Sequence, residues 1–193
     1  MNGKFVGEFS RRAMSAFACA GLLLIVGAAD VNAAPTSGQQ RWVTYTSDGA
    51  NLTFEYPSGI FTDQRGDPTE PLQARTPDRA GKIFTTADGK AVLQIGTFPN
   101  LDNASVDDLR KRAIAASYND AKLDYNRSSG NWYVLSGTRG NETFYERVHF
   151  SCNNRRLDIW AVTYPTADAD LYDDIVEEMH KRFRPILAKV RCT

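Results

Sequence analysis

The chain has 193 residues, of which 42% are hydrophobic and 24% charged, a balance that excludes a disordered segment and suits one globular domain. Its 23 Lys and Arg equal its 23 Asp and Glu. No basic excess marks it as a nucleic-acid or anionic-membrane binder.

The first residues read as an export signal. Lys4, Arg11 and Arg12 precede an uncharged stretch from Ala13 to Ala29, centred on Leu22-Leu23-Leu24-Ile25-Val26. Val31-Asn32-Ala33 then places small or β-branched side chains where a signal peptidase needs them. The expectation is a signal peptide over 1–33, cut after Ala33, and a periplasmic or secreted mature chain. Pro35 disfavours a cut after Ala34. The alternative is an uncleaved anchor, but the 17-residue stretch holds two Gly and falls short of a full span of roughly 20 residues. No stable membrane span is expected after cleavage. Ser10-Arg11-Arg12 partly matches a twin-arginine leader, and ordinary leaders also begin with basic residues, so both routes stay open. Cys19 stands at the start of the apolar core rather than at its end, where a lipid-attachment cysteine belongs. The mature chain keeps 20 Lys and Arg against 21 Asp and Glu.

Cys152 and Cys192 remain after cleavage. In an oxidising compartment, two cysteines read most simply as a disulfide. The closed loop of about 40 residues contributes about 4 kcal/mol in the chain-entropy account. The alternatives are a redox pair, which lacks CxxC spacing, and a metal site, for which only His149 lies close in sequence.

Residues 34–40 form a polar, flexible leader to a single domain over 41–193. Trp42–Tyr45 and Leu52–Tyr56 read as a hairpin about Asp48-Gly49. Residues 62–82 carry three Pro and many charges with no period, and read as a long loop. Ile83–Thr86 and Ala91–Phe98 form a second hairpin about Asp88-Gly89. Ser105 caps a helix that ends near Tyr118, with Asp108 as its reciprocal partner and Val106, Leu109, Ala113 and Ile114 on one face. Strands follow at Leu123–Tyr125, Trp132–Gly137, Thr143–Phe150 and Arg156–Tyr164, the last two joined through Asn153-Asn154. Asp168 or Thr166 caps a final helix whose stripe is Leu171, Ile175, Val176, Met179 and Phe183. The fold class is therefore α+β: an antiparallel sheet of about seven to eight strands flanked by two amphipathic helices.

Leu52–Phe61 with its Tyr-Pro-Ser-Gly turn, the strand at Gly137, Tyr164-Pro165 and the last helix ending at Phe183 resemble the PsbP-like family. That family is named for an extrinsic subunit of the photosynthetic oxygen-evolving complex. The chain also resembles secreted proteobacterial proteins. The resemblance covers roughly residues 41–184 and implies an α/β/α sandwich and a non-catalytic binding or assembly role. It brings no catalytic residue with it.

No catalytic motif stands in the chain. A nucleophile elbow needs G-x-S-x-G, and Ser58-Gly59 and Ser136-Gly137 each have one flanking glycine only. Gly81-Lys82 and Gly89-Lys90 lack the rest of a phosphate loop. No cofactor or metal is called for. If Phe144, Val148 and Phe150 face the core, Tyr145, Arg147 and His149 line the other face, a candidate ligand or partner surface. The alternative is an ordinary sheet face, solvated or covered by loop 62–82. Glu146 falls among the apolar positions and needs Arg156 or Arg147 if buried, or else an exposed rim position. His180, near a helix end, reads as solvated. The functional expectation is an exported non-enzymatic binding or assembly module with an envelope protein partner. The alternative is a small periplasmic hydrolase using Glu55, Glu146, Asp158 or His149. Intact-mass spectrometry of the exported protein without reductant is expected to give a chain beginning at Ala34, with its mass rising by two hydrogens on reduction. An intact Met1 or free thiols would contradict the respective expectation.

Overall fold

Alternating side chains shape the first element pair. β1 (Trp42–Ser47) and β2 (Leu52–Pro57) pair antiparallel, with Tyr45 opposite Phe54 and Val43 opposite Tyr56. The computed structural model describes residues 41–47, 52–65 and 80–183, so the Asp48-Gly49 turn lies outside the described residues.

The main sheet has seven strands: β3 (Asp63–Arg65), β4 (Ala80–Thr85), β5 (Val92–Pro99), β6 (Lys122–Ser129), β7 (Trp132–Arg139), β8 (Glu142–Ser151) and β9 (Arg156–Pro165). Their order is β3-β4-β5-β9-β8-β7-β6, antiparallel throughout. The chain runs a meander through β3, β4 and β5. It crosses by α1 (Val106–Ser117) to the far edge and returns through β6, β7 and β8 to place β9 beside β5. Short turns join β4 to β5, β6 to β7, β7 to β8 and β8 to β9, and enforce antiparallel pairing there. At the β8–β9 turn Asn153 and Asn154 take φ of 53° and 65°, and the left-handed stretch begins one residue earlier, at Cys152.

The expected irregular stretch over 62–82 is corrected at both ends. Asp63–Arg65 is a short edge strand opposite Ile83–Thr85, and β4 begins at Ala80. A short charged edge strand carries no hydrophobic period, which is why pattern alone reads it as loop. Residues 66–79 lie outside the described residues.

α1 has the expected cap. The Ser105 hydroxyl accepts the Asp108 amide at 3.1 Å and donates to the Asp108 carboxylate at 2.7 Å. The expected side-chain cap of α2 (Ala169–Arg182) is absent at both candidate residues. The chain enters through a 3-10 turn, Thr166–Asp168, whose Thr166 carbonyl already receives the Ala169 amide. The Thr166 hydroxyl meets Thr143 instead, at 3.0 Å.

β8 and β9 divide the core by parity. Phe144, Val148, Phe150 and Leu157 join Tyr133, Leu135 and the apolar stripe of α1. Trp160, Val162 and Tyr164 join Leu93, Ile95 and α2's Tyr172, Ile175, Val176 and Met179. The helices thus lie against opposite faces of the sheet. The expectation of one sheet of seven to eight strands with a helix on each side is corrected by the β1–β2 ribbon, a separate layer on the α2 face. Seven strands at about 4.8 Å span nearly 30 Å, whereas one helix covers about 10 Å. Phe54 and Tyr56 of the ribbon cover what α2 cannot reach, packing on Trp160 and Phe84 with centroids 6.0 and 4.3 Å apart. Arg182 ties α2 to the ribbon: it meets Glu55 at 3.1 Å and lies 4.4 Å over the Trp42 ring. Among the described residues no helix is long and apolar enough to cross a membrane.

Gly137 in β7 faces the register shift of β6 between Leu123 and Tyr125. A Cβ there would lie 2.0 Å from the Lys122 carbonyl oxygen, a backbone atom that cannot move aside. Gly137→Ala is expected to cost about 1–3 kcal/mol or more, and to lower Tm by at least about 3 °C. An unchanged thermal melt would show that β6 relaxes freely at its bulge.

Candidate functional site

The strand period brings Tyr145, Arg147 and His149 to one face of β8, the face covered by α2. The Tyr145 ring stacks on Trp160 at 4.7 Å, and its hydroxyl meets Nδ1 of His180 at 2.5 Å. The Arg147 guanidinium lies 5.0 Å over the Phe183 ring and donates to the His180 carbonyl at 3.2 Å. The last turn of α2 and Phe183 therefore hold the first two residues of the row.

His149 is 5% exposed. Its Nε2 accepts from the Asn131 amide at 2.8 Å, and the same amide nitrogen reaches the Phe150 carbonyl at 3.2 Å. Burial lowers the His149 pKa against the pull of Asp158, its cross-strand neighbour. With Nε2 as the acceptor, Nδ1 has no hydrogen-bond partner among the described residues. Asp158, 3% exposed, accepts from Thr97 at 2.9 Å, Ser151 at 3.0 Å and Arg156 at 2.8 Å. Three donors, one of them charged, satisfy a carboxylate that burial would otherwise penalise.

His180 is not the solvated residue its place near a helix end suggests. Burial first, and the nearby Arg147 second, push its pKa down to about 4, opposed by Glu177. The neutral ring is the form that accepts the Tyr145 hydroxyl.

Glu146, next to this row, points to the α1 face. It takes neither the exposed rim nor an arginine partner. Arg147 has opposite parity, and the Arg156 Nε is already bonded to Asp158. Two phenols serve instead: Tyr118 donates to Oε2 at 2.9 Å and Tyr133 to Oε1 at 2.8 Å. Burial raises the Glu146 pKa, and the two hydroxyls oppose the rise. Burial beside this carboxylate pushes both phenols well above their ordinary value. Glu146 lies in a cleft of about 250 Å³ that opens where α1 ends over the sheet, lined by Gln94, Tyr118, Arg139, Phe144 and Thr163 among others. The signal for this cleft was the carboxylate at an apolar position. The tyrosines beside it come from α1's end and from β7, 28 and 13 residues away, and only the fold unites them.

The groups named for hydrolysis do not converge. Glu55 pairs with Arg182 on the ribbon, His149 and Asp158 are buried on the α2 face, and Glu146 lies on the α1 face. Among the described residues no group of three metal-type ligands occurs.

A pH signature follows from His180. The unfolded ring titrates near 6.5 and the folded one at about 4. Between these values the unfolded chain binds more protons, so this contribution is complete above 6.5 and falls away as pH drops toward 4. His180→Gln, which keeps an acceptor for Tyr145, is expected to show a shallower fall in urea midpoint across that window. Equal slopes in both proteins would assign the acid sensitivity to other groups, His149 first.

No family model and no curated protein matches the chain. Among solved structures, the chain is similar to the solution structure of cyanobacterial PsbP (CyanoP) from Synechocystis sp. PCC 6803. The match covers 81% of this chain and 99% of that one, at 14% identity and a TM-score of 0.51. At that identity the likeness speaks for architecture, and the architecture is PsbP-like.

Proposed function

We propose that the chain is an exported, non-enzymatic binding or assembly module that works in the periplasm or outside the cell on an envelope protein partner. The observation that carries this reading is the PsbP-like fold, shared along almost the whole length of the Synechocystis chain. A fold alone hosts many functions, so the reading also leans on the site. The groups able to do chemistry are spread over two faces of the sheet and the ribbon, each with structural partners. The flanking of one antiparallel sheet by α1 on one side and by α2 with the ribbon on the other supports an α/β/α sandwich; kinship to secreted proteobacterial proteins is part of the proposal and rests on the sequence resemblance.

The leader over 1–33 and Cys192 lie outside the described residues. In this proposal the leader directs export, and a Cys152–Cys192 bridge ties the C-terminal tail to the β8–β9 turn. In this proposal the charged segment 66–79 forms the partner surface, because the row Tyr145, Arg147 and His149 is covered by the end of α2. Loops on rigid scaffolds commonly carry recognition. The hydrolase reading retains one favourable observation, the Glu146 carboxyl in its cleft, but His149 and Asp158 cannot assist it from the opposite face.

Replacing residues 66–79 with a short Gly/Ser linker leaves the β3–β4 pairing in place. The variant is expected to melt like the wild type and to lose a stoichiometric partner captured by cross-linking in envelope extract. An unchanged partner with an intact fold removes this segment from the surface. Turnover of a substrate without any partner would sink the assembly reading itself.

A further inference from the structure

The Glu146 cleft lies on the face opposite the row discussed for a partner, and its charges have no use in that reading. Its floor is a carboxylate whose two neighbours are phenols, not cations. The groups that oppose the rise of its pKa are those same phenols. Burial raises the pKa of this half-buried carboxylate, and a positive group placed beside it favours the charged form. Tyr118 and Phe144, stacked at 4.2 Å, line the cleft beside the carboxylate. Ser117 and Tyr118 bring the carbonyl end of α1 to the cleft, and the last turn of α1 has no basic residue of its own.

Arg139 supplies the opposite charge. It lines the same cleft, donates from Nη1 to the Ser117 carbonyl at 3.0 Å and stands 3.7 Å from Glu142. A guanidinium has five N–H donors in a planar fork, so these contacts leave donors for a ligand carboxylate. The two charged groups differ in depth. Glu146 is half-buried between sheet and helix end, whereas the Arg139 side chain is 44% exposed. Val92 and Ala161 add an apolar wall, and the volume of about 250 Å³ is below that of drug-sized sites.

We infer that this cleft binds a small zwitterionic amino acid, its ammonium on Glu146 and its carboxylate on Arg139. A simple amine would meet Glu146 but use none of the donors that Arg139 has left. A simple carboxylate would meet Arg139 and face Glu146 across the cleft.

Calorimetric titration of the exported full chain tests this with glycine and 4-aminobutyrate as short and long zwitterions, and n-butylamine and butyrate as singly charged controls. At least one zwitterion is expected to bind saturably, with Kd of about 1 mM or tighter. Both controls are expected to bind at least about tenfold more weakly, and Glu146→Gln and Arg139→Gln are each expected to lose about tenfold. If Glu146→Gln does not fold, Arg139→Gln at the exposed mouth decides, with its thermal melt as the check of fold. The inference is overturned if neither zwitterion binds, if n-butylamine or butyrate binds as tightly, or if Arg139→Gln folds and binds like the wild type.

Discussion

Trp160 at the centre of β9 joins the layers of this protein. It is fully buried, and its side chain meets Phe54 of the ribbon, Tyr145 of β8 and Phe183 at the end of α2, with centroids 6.0, 4.7 and 6.5 Å apart. Its backbone pairs with Ile95 on one side and Arg147 on the other, the seam where the two meanders meet. One residue thus contacts both halves of the chain and both elements of the layer above the sheet. Such a position tolerates little change, because close-packed neighbours on every side cannot collapse into a void.

The same register decides where charge goes. A one-residue step along β8 carries a side chain from the α2 face to the α1 face. Tyr145, Arg147 and His149 enter a layer closed by α2, where both histidines stay neutral and Arg147 finds a carbonyl and an aromatic ring. Glu146 enters the layer closed by α1, where phenols are the available donors. Asp158, opposite His149, takes a third solution with Arg156 and two hydroxyls. Arg147, Glu146 and Asp158 are each held by what their own face supplies. The outcome is three separate local arrangements rather than one converging site.

The asymmetry of the helices explains where the molecule is open. On the α2 face the ribbon shares the work of covering the sheet. On the other face α1 lies over β6 and β7. Beyond its end, β5, β8 and β9 line a cleft instead of a sealed core, and Gln94 stays exposed there.

The strands, their antiparallel sense and both helices were legible in the chain, because tight turns and period-two or period-3.6 patterns act over a few residues. The Ser105 cap and the Asn153-Asn154 turn are local in the same way. The shared face of Tyr145, Arg147 and His149 also followed from alternation alone. What alternation cannot say is which layer covers a face. That α2 closes over this row, that the first hairpin leaves the sheet to become a covering ribbon, and that Glu146 meets Tyr118 and Tyr133 all depend on long-range packing. These contacts join residues far apart in the chain, and a linear pattern carries no information about which distant surface will be nearest once the core is filled.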